Sequence, residues 1–415
     1  MKLKQGCKYS IESDFYNGDC VFINEDPDCY FFKLKSGYNV GIDKKKLTKA
    51  KLLEEVKPKK EVPYKQGKAD ILILHTGGTI ASKVDYSTGA VSDKFSPQEI
   101  ISMFPELKSF GSINSKLISN MPSDDMNFNH YNVLIDEVLK HIDDVKGIII
   151  THGTDTLHYT SCALSFALRG IKKPVVLVGS QRSSDRPSSD AANNLLNASY
   201  FIKKNKPGVF VCMHESISKE DCLIFKGVNL RKMHSSRRDA FKQINSSPYA
   251  RVNFKEELFE EISTLKEVDD FNPLKFNPKL RIGMISSRPN MYSEEFKLYE
   301  KFDGLVLQGT GFGHFPITKF DSNTSENQKI FESLQKLSKK IPVVMSAQTI
   351  HGRVNLNVYT PGRKLKALGI LGHGFSMTPE TSYIKLAFIL SNYKNQVGEF
   401  YEKDFVGELD YRSEV

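Results

Sequence analysis

The sequence has 415 residues, 40% of them hydrophobic and 26% charged, a globular composition with room for two or three domains. Its formal charge of +9 is mild for that length, and a lysine-rich solvated surface accounts for it as readily as an acidic partner does. Six scattered cysteines form no CxxC and no zinc spacing, which argues against a disulfide scaffold or a zinc module and for reduced thiols in a cytosol.

The opening MKLKQGCKYS lacks the apolar centre of a signal peptide, and no apolar run approaches a membrane span. The expected location is cytoplasmic, with no membrane partner. Residues 1–56 hold short Val, Phe, Ile and Tyr runs broken by Asn17-Gly18, Asp26-Pro27 and Ser36-Gly37. Such closely spaced turn signals predict a small β-barrel or meander, with the barrel as the expectation. The run KKKLTKAKLLEEVKPKKEVPYKQGK is dense in lysine and carries Pro58 and Pro63, and it reads as a basic linker, placed at 57–69.

From residue 70 the texture becomes α/β. Buried-strand candidates are Ile71–Leu74, Gly147–Ile150, Val175–Val178 and Val209–Met213. HYNVLIDEVLKHI between them has near-helical spacing at Val133, Leu134, Val138 and Ile142. Continuous apolar strands alternating with helices predict a parallel, doubly covered sheet over 70–255. A charged stretch at 256–279, helical in its first half if anywhere, reads as an interdomain connection. A second strand series, Ile282–Ile285, Leu305–Leu307 and Val343–Met345, marks another α/β domain over 280–415.

Ligands of open parallel sheets bind outside the carboxyl ends of the strands. Four segments there carry polar chemistry. Thr76-Gly77-Gly78-Thr79 lets backbone approach a ligand closely, although a plain glycine turn explains it equally well. It lacks the Gly-Lys-Ser/Thr of a phosphate loop. Thr151 to Thr156 set Thr154 beside Asp155 at a strand exit, where helix capping is as good a reading as catalysis. Ser123, Asp124 and Asp125 follow Pro122; they suit an amino-acid ligand or a solvated turn. GVNLRKMHSSRRDAF gathers Arg231, Lys232, Arg237 and Arg238, either as a basic surface loop or to bring a lysine beside Asp155. A threonine hydroxyl attacks an amide only after a base takes its proton, and a lysine amine can do so. Backbone amides of the glycine turn could hold the oxyanion.

These motifs resemble the bacterial-type L-asparaginases and glutaminases. TGGTIAS resembles their first signature and HGTDT their second, and VVLVGSQR with SSDAANNL resembles the segment after the second; the likeness covers about residues 70–395. It implies two asparaginase-like α/β domains with parallel sheets. Within the family, the N-terminal module and RKMHSSRRDAF resemble the D-type subunits of archaeal glutamyl-tRNA(Gln) amidotransferases. The resemblance implies Thr79 as nucleophile, Thr154, Asp155 and Lys232 as the second half of the catalytic set, and Tyr86 as a loop residue assisting Thr79. Ser123 and Asp124 would grip substrate, with Gly78 and Gly153 lining it and Asn290 reaching the pocket of a second copy. Pro122 stands where many family members have glycine.

The implied activity is hydrolysis of glutamine to glutamate and ammonia through a threonine acyl-enzyme. The ammonia would go to an E-type partner that converts Glu-tRNA(Gln) to Gln-tRNA(Gln). No metal or cofactor is implied for this chain; ATP and Mg belong to the partner. The implied assembly is a homodimer within a heterotetramer, which meets tRNA(Gln) through the complex. A free-standing cytoplasmic L-asparaginase and a catalytically idle tRNA-binding scaffold remain the alternatives.

Overall fold

The computed structural model describes residues 3–4, 6–34, 39–54, 69–78, 82–84, 91–93, 104–182, 189–268 and 270–410. Five antiparallel strands open the chain: β1 (Lys8–Ser13), β2 (Asn17–Glu25), β3 (Cys29–Leu34), β4 (Asn39–Asp43) and β5 (Leu47–Glu54), in the order β4-β3-β2-β1-β5. Alternate residues Tyr9, Ile11, Cys20, Phe22, Tyr30 and Phe32 turn inward and form a core of their own. β1 to β4 form the meander, and among the described residues no pairing joins β4 to β5 to close a barrel. β5 also lies inside the lysine-dense run, ahead of the linker placed at 57–69. It pairs with β1 at the sheet edge and buries little beyond Leu47, so its lysines meet water, as suits an edge strand.

The second sheet has eight strands. Five are parallel, in the order β12-β11-β10-β6-β9: β6 (Ile71–His75), β9 (Ile113–Leu117), β10 (Gly147–Thr151), β11 (Pro174–Val178) and β12 (Gly208–His214). β7 (Ser82–Val84) and β8 (Val91–Asp93) pair apart from it. The apolar runs are continuous because both faces are covered. Leu72, Leu74, Ile148, Ile150, Val175 and Leu177 pack toward α1 (Phe128–His141) and α2 (Leu157–Ala167). Ile71, Ile73, Ile149, Val176 and Val178 pack toward α3 (Ala191–Ile202). On α1 the buried stripe is Phe128, Tyr131, Leu134, Ile135 and Val138, continued by Ile142, whereas Val133 is 46% exposed.

Three strands extend this sheet antiparallel: β13 (Cys222–Lys226), β16 (Ala250–Asn253) and, at the edge, β17 (Leu258–Glu261). The sheet is therefore mixed rather than parallel. The link from β12 to β13 is short, and a parallel neighbour would need a long crossover. β17 occupies the stretch read as an interdomain connection with a helical start; pairing with β16 decides its conformation. A separate hairpin joins β14 (Leu230–Lys232) to β15 (Phe241–Gln243).

The last domain has a parallel sheet of β18 (Ile282–Ser286), β19 (Gly304–Gly309) and β20 (Val343–Ala347). One face packs on α4 (Ser325–Ser338), and α5 (Thr360–Ala367) adds Leu365 to that layer. The other face joins Ile282, Val306 and Val344 to α6 (Pro379–Asn392) and to the α1–α2 layer, so the two α/β domains share one core.

Candidate active site

The carboxyl ends of β6 and β10 are tied together by the residues just beyond them. Thr76 donates to the Thr151 carbonyl from both its amide (3.2 Å) and its hydroxyl (2.9 Å). His75 Nδ1 bonds Thr151 Oγ1 at 2.9 Å. Thr76 therefore serves the turn.

Two glycines then allow three loops to meet. Gly77 and Gly78 have φ of +104° and +81°. A Cβ on Gly77 would lie 2.6 Å from the Met121 carbonyl oxygen, and one on Gly78 would lie 2.4 Å from the Gly153 nitrogen. Gly153 in turn faces Ser123, whose Cβ would be 2.8 Å from any added Cβ. The segments 76–78, 120–123 and 152–154 thus approach at backbone distance, which only residues without side chains permit.

Thr154 sits at this junction and is buried. Its methyl group lies against Gly179, where an added Cβ would come within 2.7 Å. Its hydroxyl accepts from Lys232 Nζ at 2.8 Å, and Nζ also donates to Asp155 Oδ1 at 2.9 Å. The lysine side chain is only 9% exposed, while that of Asp155 is 62% exposed. A buried amine is thus held between a buried hydroxyl and a carboxylate open to solvent. Helix capping does not explain these residues: the N-cap of α2 is Thr156, and it makes no side-chain cap bond. Thr156 Oγ1 instead donates to the Ser123 carbonyl at 2.7 Å, which joins the Ser123 turn to the Thr154 segment.

The structure therefore brings together Gly78, Ser123, Gly153, Thr154, Asp155 and Lys232, with exposed Asp124 beside Ser123. Thr79 and Tyr86 lie outside the described residues. Asn290 stands apart, exposed in a turn after β18 at φ +54°. Neighbouring histidines are no candidate bases. Burial holds His75 and His152 down to about 4, and burial aided by Arg231 holds His158 to about 3.

Sequence reasoning missed two supports of this site. Buried Asp190 accepts from the amides of Gln181 and Arg182, all at 3.0 Å, and fixes the turn after β11. Asn194 donates to the Gly179 carbonyl at 3.0 Å, behind Thr154. Both lie in SSDAANNL, but only their burial reveals the role. Among the described residues no cluster of His, Cys, Asp or Glu could hold a metal. No helix there is long and apolar enough to cross a membrane.

Two family profiles match the chain: Asparaginase, N-terminal, over residues 70–264, and Glutaminase/Asparaginase C-terminal domain over residues 281–398. The D-type subunit of glutamyl-tRNA(Gln) amidotransferase from Methanococcus maripaludis is 38% identical over 97% of each chain. The chain belongs to the asparaginase/glutaminase family, in its D-type amidotransferase branch. The D-type subunit from Pyrococcus abyssi is likewise 38% identical, covering 92% of this chain and 87% of that protein. Among solved structures of the family, the thermostable L-asparaginase from Thermococcus kodakarensis matches with a TM-score of 0.73 and 30% identity. It covers 82% of this chain and 99% of its own. The D-type relatives thus extend over length that an asparaginase alone does not fill.

Proposed function

We propose that this chain is the glutaminase subunit of a tRNA-dependent amidotransferase. It hydrolyses glutamine to glutamate, and the ammonia serves an E-type partner that converts Glu-tRNA(Gln) to Gln-tRNA(Gln) with ATP and Mg. The observation that carries the chemistry is the contact of Lys232 with both Thr154 and Asp155 at the strand ends. Lys232 Nζ and the Thr154 hydroxyl are joined by a single 2.8 Å hydrogen bond, across which a proton can be exchanged. Positive charge on Nζ sits 2.9 Å from the Asp155 carboxylate, which balances it.

In this reading the Thr79 oxygen bonds the side-chain carbonyl carbon of glutamine. The carbon–nitrogen bond breaks, and the nitrogen leaves as ammonia with the proton that the Thr79 hydroxyl gives up. Water, activated by Thr154 and Lys232, then cleaves the acyl-threonine to release glutamate. Asp124 and Asp155 face the substrate ammonium, Ser123 grips its carboxylate end, and Gly78 and Gly153 let the carbonyl reach backbone amides. Tyr86 assists Thr79, and Asn290 of a second copy closes the pocket of a homodimer within a heterotetramer.

The test is glutamate release by the chain alone, with an E-type partner, and with partner plus tRNA(Gln). Little release alone and a rise on adding partner and tRNA is expected. Full, tRNA-independent turnover by the isolated chain, faster on asparagine, would establish a free-standing asparaginase instead.

A further inference from the structure

Lys232 sits on a two-stranded hairpin, β14 paired with β15, that belongs to neither large sheet. Two strands alone are marginal in water, so the hairpin must be held from outside. Leu230 and Phe241 enter the shared core and fix its height. Its two ends show an unexpected likeness. Asn229 immediately precedes β14, and Asn245 lies two residues past β15. Both are buried, and both have left-handed backbone, at φ +52° and +60°. Asparagine is one of the few residues other than glycine to adopt that conformation readily.

Both side chains are bonded to the C-terminal domain. Asn229 Nδ2 donates to the Glu408 carbonyl at 2.9 Å, and Asn229 Oδ1 accepts from the Thr378 amide at 3.3 Å. Its backbone amide donates to Thr381 Oγ1 at 3.0 Å. Asn245 Nδ2 donates to the Ser376 carbonyl at 2.7 Å and to the Ile350 carbonyl at 3.2 Å, while its Oδ1 accepts from the Gly352 amide at 2.8 Å. Between the two ends, Arg231 Nη1 bonds Glu380 Oε1 at 2.9 Å, on the first turn of α6. The targets are themselves fixed: Glu408 is fully buried and paired with Lys385 of α6 at 2.7 Å.

We infer that Asn229 and Asn245 are paired positioning residues, which pin the hairpin to the C-terminal domain and so set Lys232 against Thr154. The inference rests on the proposed catalytic role of Lys232. Each asparagine does two things at once: it supplies the left-handed corner, and its amide reads the neighbouring domain. Glycine keeps the corner and removes the amide, which separates the two.

The experiment measures glutamine turnover by the full-length chain in whichever assembly the assay above finds active. It compares Asn229→Gly, Asn245→Gly and Lys232→Met, each with its folded fraction followed by circular dichroism. Displacing a catalytic group by about an ångström costs about 100-fold, so kcat per folded molecule should fall by that order while KM stays within about twofold. Lowered thermal stability with unchanged kcat per folded molecule would overturn the inference and leave the asparagines merely structural. Full activity of Lys232→Met would instead overturn the catalytic reading on which it rests. Should either glycine variant fail to fold, Asn229→Asp applies the same criterion, since it keeps the corner and the acceptor but loses the donor to Glu408.

Discussion

At Thr154 the geometry leaves little freedom: the methyl is fixed by Gly179 and the hydroxyl by Lys232. Thr154→Ala and Thr79→Ala should each lower glutamine hydrolysis by about four orders of magnitude, because members of a catalytic unit act together. Circular dichroism should show the fold retained, and a glutamate-release assay reads the loss. Gly78→Ala tests the loop junction instead. Its φ of +81° should cost an alanine about 1–2 kcal/mol. Its Cβ would also push the Gly153 backbone, so turnover should drop by about 100-fold. Denaturant unfolding and the same assay check both halves. Thr154 and Asp155 were legible as a polar pair at a strand exit. Their meeting with Lys232 was not, because spacing says nothing about residues 78 apart in the chain. The family resemblance supplied that pairing.

Helix α6 carries more than packing. Its Lys385 is wholly buried against Glu408, donates also to the Lys403 carbonyl at 2.8 Å, and lies over the rings of Phe375, Tyr401 and Phe405. Lys385→Met should destabilise the protein by about 3–5 kcal/mol, because it leaves the Glu408 carboxylate buried and unpaired. Adding Glu408→Gln should recover a good part of that loss in urea unfolding. Elements with continuous apolar runs were readable in advance, since burial on both faces writes them as unbroken Val, Ile and Leu. Elements held by a few side chains were not. β14 reads as a basic loop because two of its three residues are Arg231 and Lys232. β5 is hidden in a lysine-dense run because an edge strand tolerates lysine. On α1 the buried stripe starts from Phe128, which turns Val133 to solvent although its spacing fits the apolar face.

Across the molecule, buried histidines tie stability to acidity, and three of the four among the described residues lie near the candidate site. His75 and His152 are held to about 4 and His158 to about 3, against an ordinary value of 6.5. All three stay neutral in the folded protein, while the unfolded chain takes up protons below about 6.5. Their contribution to stability is therefore complete above that pH and is lost as the pH drops toward 4, by up to about 1.4 kcal/mol per pH unit for each group. Urea midpoints at pH 7, 6 and 5 should fall in that order, and His152→Gln should flatten the slope. At the same scale, the proposed homodimer should appear in light scattering at micromolar concentration, with Asn290→Ala lowering activity but leaving the mass unchanged. A fully active monomer would refute the shared pocket. The two-domain α/β plan was legible because each strand series repeats the same apolar signature. The antiparallel extension was not, because sheet order depends on loop lengths and partners beyond any local window.

That extension ends on β17, where a sheet edge could recruit a stranger. The strand exposes Glu260 and Glu261, engaged by Arg251 and Lys206 at 2.7 Å each. A second chain seeking to add itself there would have to bury those carboxylates and strip them of their cations. The acidic pair thus disfavours edge-to-edge pairing of the eight-stranded sheet with another chain.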